Sequence, residues 1–176
     1  MYKIEKINIM EQVANGLNAL HQNNIVHRDI KPENVLLNQK DGIYIAKIAD
    51  FGISQVQSQQ FNSSFVGTIY YISPELLKGE QGGKSSDIWS FGCLFYEILY
   101  EKILFNAKSI QEIQQNIAKF NQYDIHSAQY YKENEIISKC IVADQKNRVS
   151  ADELVDLFKE KKYLIKAKKI IQIFFF

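Results

Sequence analysis

Across residues 4–22, apolar side chains recur three or four positions apart: Ile9, Val13, Leu17 and Leu20 share one face, and polar residues fill the other. That spacing follows the turn of an α-helix and predicts an amphipathic helix ending near Asn23-Asn24. Ile25-Val26 and Val35-Leu36-Leu37 are short apolar runs that read as strands. Asp41-Gly42 marks a tight turn, and 43–48 reads as one or two further strands ending at Asp50. Residues 87–99 are apolar almost all round, which in a soluble helix means burial in the middle of a domain. Ser109 opens a short helix through Phe120. Residues 121–134 are polar and predict a loop, and 135–142 an apolar-periodic helix. Ser150 and Glu153 have capping-box spacing and start a helix that runs to about Phe158. The pattern predicts a mainly α chain with a few short β strands.

The length, 176 residues, suffices for one domain with a sizeable core. A net charge of +1 gives no global attraction to nucleic acid or to an anionic membrane. The charge is unevenly placed: residues 159–176 carry six Lys and one Glu, and the other 158 carry 15 cations and 19 acids. Cys93 and Cys140 lie far apart in apolar stretches, which argues against a disulfide framework or a metal knuckle and for buried thiols in a reducing compartment. The N-terminus does not read as a signal peptide. No run of about 18 apolar residues predicts a membrane-spanning helix.

The candidate chemistry begins at His27-Arg28-Asp29-Ile30-Lys31-Pro32-Glu33-Asn34. One short loop offers a carboxylate, an ammonium and an amide. Asp50-Phe51-Gly52 follows, its acid sixteen residues after Asn34. A polar loop between two apolar segments would explain neither the order nor the spacing. Residues 53–66 contain no charged side chain and read as a mobile loop. Gly67-Thr68-Ile69-Tyr70-Tyr71-Ile72-Ser73-Pro74-Glu75 is a second long motif, and Asp87-Ile88-Trp89-Ser90-Phe91-Gly92 a third. Read singly, His27 is a packed core residue, Leu36 core, Asp87 a helix cap and the loop serines unmodified.

Together these strings resemble eukaryotic protein kinases over residues 4–158 or so. The resemblance implies the kinase C-terminal lobe with the small β-rich lobe absent, and phosphoryl transfer from ATP with Mg²⁺. In it Asp29 accepts the proton of the substrate hydroxyl, Lys31 offsets charge on the transferred phosphoryl, and Asn34 and Asp50 hold Mg²⁺. Gly52 lets the chain turn after the metal ligand, beside Phe51. Leu36 lies under the adenine, His27 packs rather than acting as a base, and Thr68 bonds the catalytic Asp and Lys. Glu33 stands where some relatives read a basic residue of the substrate. Lys31 and Thr68 point to the serine/threonine group, and the 66–75 motif is most similar to NIMA-related or calcium/calmodulin-dependent kinases. Ser64, or Ser63, matches the site of an activating phosphate placed there by another kinase, with Arg28 as its cation. Glu75 is expected to pair with Arg148, one of two Arg in the chain, and Asp87 to tie back to the catalytic-loop backbone. Departures are Ile69 for a common Pro, Ser73 for Ala, Ile103-Leu104 for Pro-Pro and Gln145 for Pro.

The family's Gly-rich phosphate loop, its Val-Ala-x-Lys strand and the partner Glu of the small lobe have no counterpart in this chain. The resemblance therefore implies weak ATP binding and no measurable transfer by this chain alone. A non-catalytic interaction module is the alternative, because a lone large lobe exposes apolar surface. The tail, 159–176, falls outside the resemblance. It reads as a basic amphipathic contact to a membrane or partner, as a helix packed on the domain, or as a misassigned C-terminus.

Overall fold

A computed structural model describes residues 1–50, 68–121, 125 and 130–160. The long helix α1 spans Lys3–Gln22. Glu5 accepts the Tyr2 backbone N–H at 2.6 Å and closes its first turn. Ile9, Met10, Val13 and Leu17 form its buried stripe. The helix stops at Asn23, and Ile25 donates its N–H back to the Leu20 carbonyl at 2.9 Å. That bond uses the donor a strand would need, so the expected strand at Ile25-Val26 does not form.

Strands β1 (Val35–Lys40) and β2 (Ile43–Ile48) pair antiparallel, with Val35 opposite Ile48 and Lys40 opposite Ile43. Asp41 and Gly42 both adopt left-handed φ, 51° and 77°, the handedness a two-residue hairpin turn requires. The outer edge of β2 is closed by one side chain of α1. The Gln12 amide donates to the Tyr44 carbonyl and accepts from the Ala46 N–H, both at 3.0 Å.

After the short helix α2 (Pro74–Leu77) comes α3 (Lys84–Tyr100), the centre of the core. Trp89, Phe91, Leu94 and Phe95 are fully buried there. Phe91 and Phe95 meet Phe158 of α6, the helix over 151–160. At Gly92 an added Cβ would lie 2.7 Å from the Cys140 Cβ and the Ile141 Cδ1, so glycine permits close approach of the chain at the end of α5 (Tyr131–Cys140). Helix α4 (Ile110–Lys119) is capped by Ser109, whose Oγ accepts the Glu112 N–H at 3.2 Å. It packs beside α2 through a small cluster of Ile69, Leu77, Ala107 and Ile113.

α5 begins four residues before the apolar period at Glu135 starts and ends two residues before Val142. Residues 131–134 read as loop because they are polar. Asn134 is nevertheless fully buried, donating to the Ile125 carbonyl at 2.7 Å and accepting from the Tyr100 hydroxyl at 2.7 Å. Partners contributed from elsewhere in the fold make a polar residue a core residue. Among the described residues, no helix is long and apolar enough to cross a membrane, and Cys93 and Cys140 are free and buried.

Candidate active site

The loop after α1 is built around the carboxylate of Asp87, in the first turn of α3. Asp87 Oδ1 accepts the Arg28 N–H at 2.7 Å, and Oδ2 accepts the His27 N–H at 2.8 Å. Oδ2 also meets His21 Nε2 at 2.9 Å. Arg28 has a left-handed φ of 72°, which a residue with a Cβ resists. Anchoring its N–H to a buried carboxylate holds that conformation in place. Asp87 therefore does more than cap a helix.

His27 is fully buried. Its Nε2 faces the Ala49 carbonyl at 2.8 Å, and its Nδ1 receives the Asp29 N–H at 3.2 Å. A carbonyl only accepts and an amide N–H only donates, so the ring is neutral with its hydrogen on Nε2. Both nitrogens are committed, which leaves His27 no lone pair for proton transfer.

Pro32 then opens a single 3-10 turn, Pro32–Asn34, in which the Asn34 N–H bonds the Lys31 carbonyl. The turn folds three polar side chains together. Asn34 Nδ2 donates to the Asp29 carbonyl at 2.7 Å and to Asp29 Oδ2 at 3.0 Å. Lys31 Nζ lies 2.7 Å from the same Oδ2. Two donors thus fix one oxygen of Asp29, while Oδ1 has no partner among the described residues. Asn34 is buried, and Asp29 and Lys31 are partly exposed.

The backbone brings Asp50 to this loop. Ala49 donates its N–H to the Asn34 carbonyl at 2.9 Å, and its own carbonyl meets His27. Asp50 follows with a left-handed φ of 58° and an exposed side chain. Among the described residues no three His, Cys, Asp or Glu side chains gather as a metal cluster. Asn34 turns its NH₂ toward Asp29 and keeps its amide oxygen for another partner. An amide oxygen plus a carboxylate suits a hard cation that retains several waters, as Mg²⁺ does.

Glu33 is exposed. Leu36 is 58% exposed on β1, so its plain reading as a core residue is wrong. Phe51, Gly52, Ser63 and Ser64 lie outside the described residues. Thr68 opens the 3-10 turn Thr68–Tyr71, and its side chain also lies outside them. Glu75 and Arg148 meet in a buried fork, Nη1 to Oε1 at 2.6 Å and Nη2 to Oε2 at 2.7 Å. Ser86 Oγ adds a bond to Glu75 at 2.8 Å.

The sequence pattern of the protein kinase domain matches residues 2–158. The chain belongs to the protein kinase family. Human 3-phosphoinositide-dependent protein kinase 1 is 37% identical to this kinase chain over 147 residues, covering 81% of the chain and 26% of that protein. "Probable serine/threonine-protein kinase nek3" of Dictyostelium discoideum is 34% identical over 158 residues, 88% of the chain and 14% of that protein. Serine/threonine-protein kinase nekl-2 of Caenorhabditis elegans is 38% identical over 112 residues, 63% of the chain and 31% of that protein. The chain thus spans a third or less of the length of each of these relatives. Relatives with different names match at similar identity and single out no kinase subgroup.

Three structurally important residues gave no signal in the sequence. Gln12 and His21 sit on a helix whose pattern marks only its apolar stripe. Glu97, which accepts the Tyr71 hydroxyl at 2.6 Å, looks like an ordinary helical acid. Burial, followed by the nearby carboxylates of Glu97 and Glu33, raises the pKa of the Tyr71 phenol well above its usual value.

Proposed function

We propose that this chain is the catalytic-loop lobe of a serine/threonine kinase that moves the γ-phosphoryl of ATP to protein Ser and Thr hydroxyls. The observation that carries the reading is the state of Asp29. Lys31 and Asn34 fix its Oδ2, and Oδ1 is left to accept a hydroxyl proton. Phosphoryl transfer asks mainly for positioning and charge stabilisation, and Lys31 places an ammonium beside the reacting centre. Asn34 and Asp50 would supply hard oxygen ligands to Mg²⁺, which when bound offsets the charge of the phosphates.

Residues 1–158 form the lobe in this reading, and 159–176 a basic and apolar tail outside it. Leu36 faces the adenine, and Thr68 helps position Asp29 and Lys31. Exposed Glu33 meets a basic residue of the protein substrate. Phosphorylation of Ser64 or Ser63 by an activating kinase orders the 53–66 loop against Arg28. The subgroup is NIMA-related or calcium/calmodulin-dependent. Two free, buried cysteines support a reducing, cytoplasmic location.

The test is peptide phosphorylation by a protein in which a small kinase lobe precedes residue 1. Asp29→Asn should lower turnover by roughly 10²–10⁴-fold while leaving folding intact. Transfer at the unsubstituted rate would end the proposal. For the chain alone, calorimetric titration with Mg-ATP should show weak binding; micromolar affinity would refute that expectation.

The second reading, an interaction module, is favoured by Leu36, Leu37 and Ile43, which are 58%, 47% and 68% exposed on the hairpin. In-frame small-lobe motifs upstream of Met1 in the genomic sequence would favour the enzyme; a genuine start codon at Met1 would favour the module.

A further inference from the structure

We infer that Gln12 is a positioning residue for the candidate metal oxygens of Asn34 and Asp50. It fastens to α1 the hairpin that carries both, and this role rests on the kinase reading above. β1 pairs with one edge of β2, Val35 opposite Ile48 and Lys40 opposite Ile43. In an antiparallel ladder alternate residues turn their N–H and C=O away from the partner strand. On β2, Tyr44 and Ala46 turn theirs toward α1, and Gln12 meets them with one amide. Its Nε2 donates to the Tyr44 carbonyl and its Oε1 accepts the Ala46 N–H, both at 3.0 Å. Nε2 also donates to the Asn8 carbonyl, one turn earlier on α1, at 3.2 Å. Two carbonyls face the nitrogen and an N–H faces the oxygen, so the amide has one orientation and uses both of its hydrogens. A carboxylate would lack the donor and an ammonium the acceptor.

The hairpin needs such a tie. Among the described residues, Ala46 is the one buried position of its two strands. A two-stranded hairpin is marginal by itself. With little apolar surface buried, directional bonds to the body of the lobe decide where it lies. One turn beyond Gln12, a Cβ on Gly16 would lie 3.2 Å from Ile48 Cδ1, so glycine lets the end of β2 settle against the helix.

Asn34 immediately precedes β1, and Asp50 is the second residue after β2. The Ala49 N–H bonds the Asn34 carbonyl at 2.9 Å and keeps these two ends together. The two oxygen ligands therefore move as a pair with the hairpin. Asp29 and Lys31 belong instead to the loop that leaves α1. Where hairpin meets loop, His27 Nε2 donates to the Ala49 carbonyl at 2.8 Å. Gln12 holds the middle of β2 on α1, and so holds the ligand pair in register with Asp29 and Lys31.

Hydrogen exchange of the chain, read by NMR at single sites, tests the proposal without any assay of transfer. Gln12→Met keeps the length of the side chain and removes the amide. The Ala46 amide loses its acceptor and should exchange roughly tenfold faster or more. The His27 Nε2–H does not touch Gln12, yet it should also exchange faster, because the hairpin leaves its seat. Core amides of α3 should keep their protection. Faster exchange at Ala46 alone would mean that Gln12 only closes a strand edge, and would overturn the proposal, as would unchanged exchange at both sites. Should Gln12→Met fail to fold, Gln12→Ser decides. It lets water bond the strand edge, which spares the fold but not the tie to α1, and the same two sites should exchange faster. In the protein with a small lobe before residue 1, Gln12→Met should raise the Mg²⁺ concentration for half-maximal transfer by roughly tenfold and leave the KM for the peptide unchanged. An unchanged Mg²⁺ requirement, or a peptide KM that rises equally, would overturn the proposal too. Absence of transfer by the unsubstituted two-lobed protein would defeat the kinase reading and leave the exchange result standing.

Discussion

Arg148 and Glu75, 73 positions apart in the chain, are joined by two hydrogen bonds of 2.6 and 2.7 Å and are both buried. The guanidinium also donates to the carbonyls of Val142, Ala143 and Ser85 and lies over the Trp89 ring, 5.0 Å from its centroid. It thereby fastens α2, the start of α3 and the segment before α6 at one point. Burial alone would raise the Glu75 carboxyl, but the Arg148 bonds, with help from backbone and Ser86 donors, outweigh it and hold it at about 2. The folded value lies below the unfolded one, so the stabilisation is complete above about 4.5 and disappears as pH falls toward 2. A shift of that size corresponds to about 3 kcal/mol. Urea unfolding at pH 7, 4 and 3 should show this loss, and Glu75→Gln should remove most of it along with much of the stability at pH 7. A variant with the same acid limb as the unsubstituted chain would contradict the assignment.

Gly92→Ala should destabilise the fold although alanine favours helix. Its Cβ would enter the space of the Cys140 Cβ and the Ile141 side chain. Overpacking of this kind costs about 1–3 kcal/mol, more than the helix propensity of alanine returns. Thermal unfolding would reveal it, and an unchanged or higher Tm would show that the two segments separate more readily than their contact implies.

Ser73→Ala should stabilise. The Ser73 hydroxyl is buried and has no hydrogen-bond partner among the described residues. Removing an unsatisfied buried group gains on the order of 1 kcal/mol, which for a chain of this size raises Tm by about 2–4 °C. A drop in Tm would mean that the hydroxyl has a partner, such as a bound water.

Cys93 and Cys140 should be unreactive toward a thiol reagent in the folded chain. Burial pushes both thiols up; for Cys93, the neighbouring Cys140 adds to the shift. The thiolate is the reactive form, so raising the pH from 7 to 9 should leave both silent until the chain unfolds in urea. Fast labelling of either thiol under native conditions would contradict its burial.

Much of the fold could be read along the chain because neighbours in sequence set it. The stripe of Ile9, Val13 and Leu17 announced α1, and the apolar run from Ile88 to Leu99 announced the buried α3. The strand expected at Ile25-Val26 failed on one backbone bond, that of Ile25 N–H to Leu20. The start of α5 was hidden because Asn134 is polar, and its two partners lie on other segments. Of the candidate site, Asp29, Lys31 and Asn34 were legible because five residues of chain suffice to bring them together.

The sequence by itself determined which chemical groups this loop offers and in what order, because local spacing along a short turn leaves few arrangements. It also determined where the apolar faces fall, since these follow from helical period alone. Only the tertiary structure decided that His21 and two loop amides share the Asp87 carboxylate, that Gln12 closes the edge of β2, and that Leu36 meets solvent. Each depends on groups brought together by packing, and such distances are set by how helices pack, not by any pattern along the chain.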